Sequence, residues 1–452
     1  MTKNLTHDMT IGNPTSLLLK FSVPMLIGNL FQQLYNMADA VVVGNYVGKD
    51  ALAAVGTTGP ITFFIFALAL GLSAGISIII SQYFGAKDEE NVKKGFATAA
   101  YTVIGACIIM GVLGFLFSRQ LLQLLNTPEN IIDQSITYLR ITSLGIVFIG
   151  AYNGMASILR ALGDSLSPLY FLIVACLMNI VLDLIFVIYF NMGVAGVAYA
   201  TITSQFVAAI GCIIYSIKKV KILNMPLKQF VPDKEIFKKC IRLGIPVAIQ
   251  NSFVSLSTMA LQSVINGYGE TIMAAATAAS RVEQLILQPG MSIGAAVAAY
   301  TGQNIGAGKI ERVKQGFKSS SKIIIIFSLI MLPMIYFGGG FIMDLFTSTD
   351  DLDVMEIGIQ ALRVPCFFYS FVGMIFVTRN VLSGAGDVKI PMVMGLTEVV
   401  CRVLFANILS SVIGFHGIWW ATGLTWLLTS IVGIIRYLSG KWKNKSIISM
   451  NP

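Results

Sequence analysis

Apolar residues form long runs along the chain, and polar residues gather in the short stretches between them. Two examples are "FFIFALALGLSAGISIII" from residue 63 and "KIIIIFSLIMLPMIYFGGGFIM" from residue 322. A bilayer core about 30 Å thick is crossed by about 20 mostly apolar helical residues. Twelve such runs begin near Leu17, Ala51, Gly95, Ile131, Leu166, Gly193, Ile241, Ile272, Phe317, Val354, Ile390 and Gly417. This pattern predicts an all-α, polytopic membrane protein with twelve transmembrane helices.

Composition and charge agree with a membrane chain. Of 452 residues, 56% are hydrophobic and 12% are charged, whereas a soluble domain has about 25% charged residues. The formal net charge is +9, but the basic residues are unevenly placed. If the N-terminus is cytoplasmic, most of the 31 lysines and arginines lie in cytoplasmic segments, as the positive-inside rule requires. The charge therefore predicts both termini in the cytoplasm, with the chain in the cell membrane, and indicates no nucleic-acid partner.

The chain contains an internal repeat. "SQYFGAKDEENVKKGF" at 81–96 returns as "GQNIGAGKIERVKQGF" at 302–317, with 8 of 16 positions identical. A duplication of about 220 residues, with six helices in each copy, predicts two six-helix bundles related by an axis along the membrane normal. The predicted parts are an N-terminal bundle (N-lobe, 1–217), a cytoplasmic linker (218–240), and a C-terminal bundle with a cytoplasmic tail (C-lobe, 241–452). A cleft between the repeats is the expected place for a transported ligand.

The first repeat contains two carboxylates within its apolar runs that the second repeat lacks. Asp39 and Asp183 correspond to Leu261 and Ala406 in the second copy. Asn179 precedes Asp183 by one helical turn, and Thr201 lies at a similar depth, about 10–15 Å below the predicted outer surface. Carboxylate, amide and hydroxyl oxygens suit a proton or Na⁺, and the histidine and cysteine of a transition-metal site are missing here.

Three further polar residues are candidates for the same place. Tyr35 and Asn36 lie one turn before Asp39, and Asn153 lies in the fourth predicted helix. Burial in an apolar bundle disfavours a charged carboxylate, so such a group can gain and lose a proton or a cation during a cycle. The alternative is that each aspartate only hydrogen-bonds a neighbouring helix.

A family resemblance rests on these residues. The stretches "NMADAVVVGNYVG" (36–48) and "NIVLDLIFVIYFNMGVAGVAYATITSQ" (179–205), two Gly-Asp turns at 163–164 and 386–387, and the duplication resemble the multidrug and toxic compound extrusion (MATE) family. The resemblance implies an antiporter, coupled to H⁺ or Na⁺, that exports cationic and aromatic compounds by alternating access. It further implies a cation site at Asp39, Asn179, Asp183 and Thr201. Some branches have an acidic residue in helix 7, which "IPVAIQNSFVSLSTMALQSVIN" lacks.

A charged pair lies in the eleventh predicted helix. Glu398 and Arg402 are four residues apart and so share a helix face. They form either a self-neutralising pair that eases membrane insertion, or a charged substrate group in the C-lobe.

Other functions fit the sequence less well. A flippase for a lipid-linked sugar precursor is the alternative within transport, but it usually has extra helices and a strongly basic cavity. A membrane-embedded enzyme needs paired acidic metal motifs, and the acidic cluster "TSTDDLDV" (347–354) does not provide such a pair. We therefore expect a monomeric, non-enzymatic transporter with small-molecule substrates and membrane lipid as partners, and with no cofactor besides its coupling ion.

Overall fold

The computed structural model describes residues 6–125, 127–344 and 352–448, which are almost entirely helical. The first half contains α1 (Pro14–Val42), α2 (Lys49–Gly85), α3 (Glu89–Leu116), the short α4 (Ser118–Leu124), α5 (Glu129–Ala161), α6 (Leu166–Leu184) and α7 (Gly193–Lys219). The second half contains α8 (Lys234–Asn266), α9 (Glu270–Gly306), α10 (Ile310–Asp344), α11 (Leu352–Cys366), α12 (Tyr369–Gly384), α13 (Lys389–Ile413) and α14 (His416–Leu438).

The helices of the described residues have the length and composition of membrane spans. Nine are long and apolar enough to cross a bilayer singly, and α11 with α12 forms a tenth span bent by 53°. Helices α8 and α9, with 33 and 37 residues, are as long, but their polar and charged residues lower the mean hydropathy. With these two, the described chain contains twelve helical segments of membrane-spanning length. The predicted all-α, polytopic membrane fold is confirmed.

Several helices begin before the apolar run that predicted them. The predicted third span begins near Gly95, whereas α3 begins at Glu89. The side chain of Asp88 accepts a hydrogen bond from the Asn91 N–H at 3.1 Å and so caps the helix. The added turn is charged and lies before the apolar part of the helix. Hydropathy marks where a helix enters the membrane, not where it begins.

The tenth predicted span is divided. The bend between α11 and α12 follows Pro365, whose carbonyl accepts a 2.8 Å hydrogen bond from the Phe368 N–H. Proline lacks the N–H that continues a helix, and its ring crowds the preceding turn. The apolar pattern of the sequence does not show this bend, because both arms are parts of one apolar run.

The described residues form two compact units. One comprises the residues up to Asp8 together with Val23–Ala248, and the other comprises Met9–Ser22 together with the residues from Ile249 onward. Helix α1 thus begins in the second unit and ends in the first, and α8 does the reverse. The division into N-lobe, linker and C-lobe remains a prediction drawn from the repeat.

Polar contacts hold the beginning of each of these helices in its unit. In the second unit, the Met9 N–H donates to Gln303 Oε1 at 2.8 Å, and Lys309 Nζ donates to the Thr10 carbonyl at 3.0 Å. In the first unit, the Asp233 N–H before α8 donates to Thr98 Oγ1 at 2.9 Å.

Prolines stand where α1 and α8 pass between the units. Pro24 and Pro246 lie within two residues of the unit boundaries. Because proline weakens the helix backbone, each helix has its natural bending point there.

Candidate cation site

Three helices of the first unit carry the predicted site residues. Asp39 lies near the end of α1, Asn179 and Asp183 lie on one face of α6, and Thr201 lies in α7. Asn179 and Asp183 are 0% exposed, and Thr201 is 8% exposed. Helices α6 and α7 are neighbours in the chain and pack side by side. The structure therefore brings together all four residues that the sequence selected.

Asn179 lies at the centre of the hydrogen bonds. With its amide nitrogen turned toward the carboxylates, it donates to Asp39 Oδ1 at 2.8 Å and to Asp183 Oδ2 at 3.3 Å. The amide oxygen then accepts from the Thr201 N–H at 3.2 Å. One side chain thus connects α1, α6 and α7. In the opposite orientation, the amide would direct an acceptor oxygen at two other acceptors.

The two carboxyl groups are neighbours. The Asn179 amide bridges Asp39 and Asp183 at 2.8 and 3.3 Å, and the Tyr35 hydroxyl is near enough to Asp39 for electrostatic interaction. The same hydroxyl donates to Thr201 Oγ1 at 3.3 Å. Asp183 Oδ1 is buried and has no hydrogen-bond partner among the described residues. Buried polar atoms are nearly always paired, so this oxygen is an available acceptor for a proton or a cation.

Unusual backbone follows both carboxylates. A π-helical turn continues α1 at Val43–Val47, and a second continues α6 at Ile185–Tyr189. Such turns are rare in proteins, and those that do occur are often found at functional sites. An apolar cluster packs around them, formed by Val42, Val43, Ala51, Val187, Val194 and Val197. Val43, Val187 and Val197 each follow or precede a site residue by about one helical turn, so the cluster covers one end of the site.

Not every predicted neighbour joins the site. Asn36 is exposed, and the amide of Asn153 donates to the Ile149 carbonyl of its own helix at 2.9 Å. Tyr138 of α5, which sequence reasoning missed, packs against the apolar cluster and lies close enough to both aspartates for electrostatic interaction. No spacing signal marks a lone tyrosine on a different helix.

The second unit contains a separate charged cluster. Glu398 accepts from Arg402 at 3.4 Å and from Arg379 of α12 at 3.3 Å. Glu398 is 8% exposed and Arg402 is 6% exposed. The Nε–H groups of both arginines are unpaired among the described residues. The charge of Glu283 on α9 also interacts with that of Arg402. The predicted pair is therefore part of a larger cluster, and its second arginine was not foreseen.

The Gly-Asp turns have structural roles. Asp164 Oδ1 accepts from the N–H groups of Leu166 and Ser167, both at 3.0 Å, at the start of α6. Asp387 Oδ2 accepts from Arg436 Nε at 2.7 Å. Most of the acidic cluster at 347–354 lies outside the described residues.

Comparison with known proteins identifies the family. The MatE family model matches residues 24–185 and 246–408, once in each half of the chain. The chain belongs to the MatE family.

Individual relatives agree with this assignment. The probable multidrug resistance protein YpnP of Bacillus subtilis is 34% identical over 97% of this chain and 98% of its own length. The FAD transporter of Shewanella oneidensis is 26% identical over 94% of both chains. This chain also resembles a solved outward-facing structure of a multidrug resistance MATE family transporter of the MOP superfamily, with a TM-score of 0.88. The two sequences are 27% identical, and the match covers 98% of this chain and 99% of the solved one. This MatE chain is therefore a multi-pass membrane protein of a transporter family associated with multidrug efflux, and not of an enzyme family.

Proposed function

We propose that this chain is an antiporter in the cell membrane that exports small cationic and aromatic compounds by alternating access. Binding of H⁺ or Na⁺ at Asp39 and Asp183 drives the export. The observation that carries this proposal is a pair of carboxyl groups bridged by one amide inside a membrane bundle. One of them has a buried oxygen with no hydrogen-bond partner among the described residues.

The electrostatics of the pair favour ion binding. Two carboxylates that share one amide donor lie close enough to repel each other strongly, and the surrounding helices provide little water to screen them. One bound proton or sodium ion removes the repulsion. Because the desolvation cost of an unpaired charge in the membrane is several kcal/mol, occupied and empty forms of the site differ greatly in energy. Such a site can drive a conformational change.

The orientation of the Asn179 amide determines which coupling ion the geometry of the site favours. With its nitrogen toward the carboxylates, it donates to both, which suits a shared proton. With its oxygen toward them, three oxygens surround one point, which suits Na⁺. The residues present thus fit either ion, and rotation of one side chain changes the preference.

The helices suggest how binding is transmitted. Each carboxylate is followed by a π-helical turn, where the backbone hydrogen-bond pattern already departs from that of the α-helix. We infer that neutralising the pair lets α1 and α6 repack, with Pro24 of α1 as a bending point, and that this lowers affinity for the drug. The distribution of basic residues supports cytoplasmic termini, so that export proceeds away from the terminal side.

Dye transport in liposomes tests the proposal. Purified protein is assayed with a cationic aromatic dye under an imposed Na⁺ gradient, and separately under a pH gradient. We expect one gradient to drive dye movement and Asp183→Asn to abolish it. Asp50→Asn, which removes an exposed carboxylate of α2, is the matched control and should transport normally. Unimpaired transport by Asp183→Asn would overturn the coupling role. If the wild type moves no dye under either gradient, lipid-linked substrates of a flippase become the next test.

A second substrate class is favoured by the cluster in the second unit. Among the described residues, the buried Nε–H groups of Arg379 and Arg402 have no acceptor, and a buried donor without an acceptor costs free energy. An anionic substrate group would complete these bonds, and one relative is named as a transporter of FAD, an anionic nucleotide. Transport of a flavin nucleotide that is lost in Arg379→Met, while cationic dye still moves, would support this second class.

A further inference from the structure

An apolar groove of about 250 Å³ runs along α3, α5 and α7 in the first unit. Every side chain that lines it is apolar, and its walls include Ala100, Ile104, Ala151 and Ile213. Gly154 of α5 also lines the groove and contributes no side chain to fill it. The groove is therefore suited to a hydrocarbon chain, and none of the described side chains that line it is a polar group that would require a different ligand.

A basic cavity lies beside one end of this groove. Phe230, in the segment before α8, lines the apolar groove, and its ring packs on Phe96 with centroids 5.6 Å apart. Its sequence neighbours at 228–229 and 231–233 line a second cavity of about 610 Å³, together with Glu90, Lys93 and Lys94 of α3. Along α3, Lys93, Phe96 and Ala100 follow one another at helical spacing, so one helix face changes from basic to apolar.

The acidic residues of the basic cavity are already engaged. Glu90 pairs with Lys94 at 2.7 Å. Asp233 Oδ1 accepts from two backbone N–H groups at the start of α8, both at 2.9 Å. Lys93 and Lys228 form no hydrogen bond or ion pair with the described residues. The cavity thus offers two uncommitted ammonium groups directly beyond the apolar groove.

We propose that this place binds an anionic phospholipid, with one acyl chain in the groove of α3, α5 and α7 and its phosphate against Lys93 and Lys228. The ligand class follows from the arrangement of charge. The apolar groove lies beside the basic cavity, and an anionic phospholipid has the complementary apolar and charged parts. A zwitterionic phosphatidylcholine carries a cationic headgroup that the lysines repel, so it is a weaker ligand. The site is distinct from the pair of aspartates and does not depend on the transported compound.

Lipid retention measured by native mass spectrometry tests the proposal. The full-length protein in detergent is titrated with phosphatidylglycerol or phosphatidylcholine, and the bound lipid is counted. Wild type should retain phosphatidylglycerol preferentially. The double variant Lys93→Gln/Lys228→Gln should need about tenfold more of it for equal occupancy, because juxtamembrane lysines each contribute a modest attraction to anionic lipid. Lys441→Gln/Lys443→Gln removes the same charge from exposed positions outside the cavity and should behave as wild type.

A second variant tests the groove independently of charge. Ala151→Phe fills the apolar groove and leaves both lysines in place, so it should also reduce retention of phosphatidylglycerol. Unchanged retention in Ala151→Phe would overturn the placement of the acyl chain. Equal retention by the Lys93/Lys228 and Lys441/Lys443 double variants, or equal binding of phosphatidylcholine and phosphatidylglycerol to wild type, would overturn the headgroup assignment. Competition by glycerol phosphate as strong as that by intact lipid would show that a free anion, not a lipid, is the ligand.

Discussion

Replacing Glu398 with alanine tests the charged cluster of the second unit. The carboxylate is the shared partner of Arg379 and Arg402, at 3.3 and 3.4 Å. Its removal leaves two neighbouring, buried guanidinium groups without their acceptor. We expect Glu398→Ala to destabilise the protein markedly, whereas Arg379→Met should have a small effect because it leaves one intact ion pair.

The magnitude follows from burial and distance. Removing one partner of a buried ion pair costs about 3–5 kcal/mol, since the remaining charge is left uncompensated. The two contacts of Glu398 are longer than the 2.7–2.9 Å or so of strong charge-assisted hydrogen bonds, which places the cost at the lower end of this range. We therefore expect about 3 kcal/mol. For a unit of about 200 residues, this corresponds to a fall of about 6–12 °C in melting temperature.

Thermal unfolding of the purified protein in detergent, followed by intrinsic fluorescence, measures this effect. The triple variant Arg379→Met/Glu398→Leu/Arg402→Met removes all three charges and keeps the volume apolar. It should regain most of the lost stability, because apolar replacement of a complete buried cluster is often neutral. A melting temperature of Glu398→Ala within 2 °C or so of wild type would refute the reasoning, as would a triple variant less stable than the single one.

Two further changes test the first unit. Tyr35→Phe removes the hydroxyl that donates to Thr201 Oγ1 at 3.3 Å, a loss of about 0.5–1 kcal/mol. Dye transport should then need about two- to fivefold more coupling ion for half-maximal rate, and an unchanged requirement would contradict a role for Tyr35. Gly163 has φ +88°, and an added Cβ would collide with a backbone carbonyl oxygen. Gly163→Ala should therefore lower the melting temperature by several degrees. Gly105→Ala should not, because an added Cβ there meets no neighbouring helix of the described chain within 4 Å. Equal melting temperatures of the two variants would argue against strain.

Much of the site could be predicted from residue type and helical spacing. Asn179 and Asp183 stand four apart in an apolar run, so their shared face and their burial follow from helix geometry alone. Asp39 and Thr201 were selected because of their depth and the resemblance to the MATE family. The structure places all four together, although their role in coupling remains a proposal.

Residues whose role depends on a partner from another helix could not be found in this way. Arg379 lies 19 positions from Glu398, and Tyr138 lies far along the chain from both aspartates. No period or motif joins such residues, because their proximity results from the packing of separate helices. The apolar groove and the basic cavity beside it were also invisible, since lysines in a cytoplasmic segment serve equally well as topology signals.

The sequence by itself determined that the chain is helical, lies in a membrane, is duplicated, and carries two carboxylates where apolar residues are expected. These features follow from local composition and repetition, which act along the chain. Only the tertiary structure decided which charges meet, where the tenth span bends, and that α1 and α8 each begin in one unit and end in the other. The physical reason is that contacts between distant segments depend on side-chain shape and on the few hydrogen bonds that orient each helix, and these are set when the bundle packs.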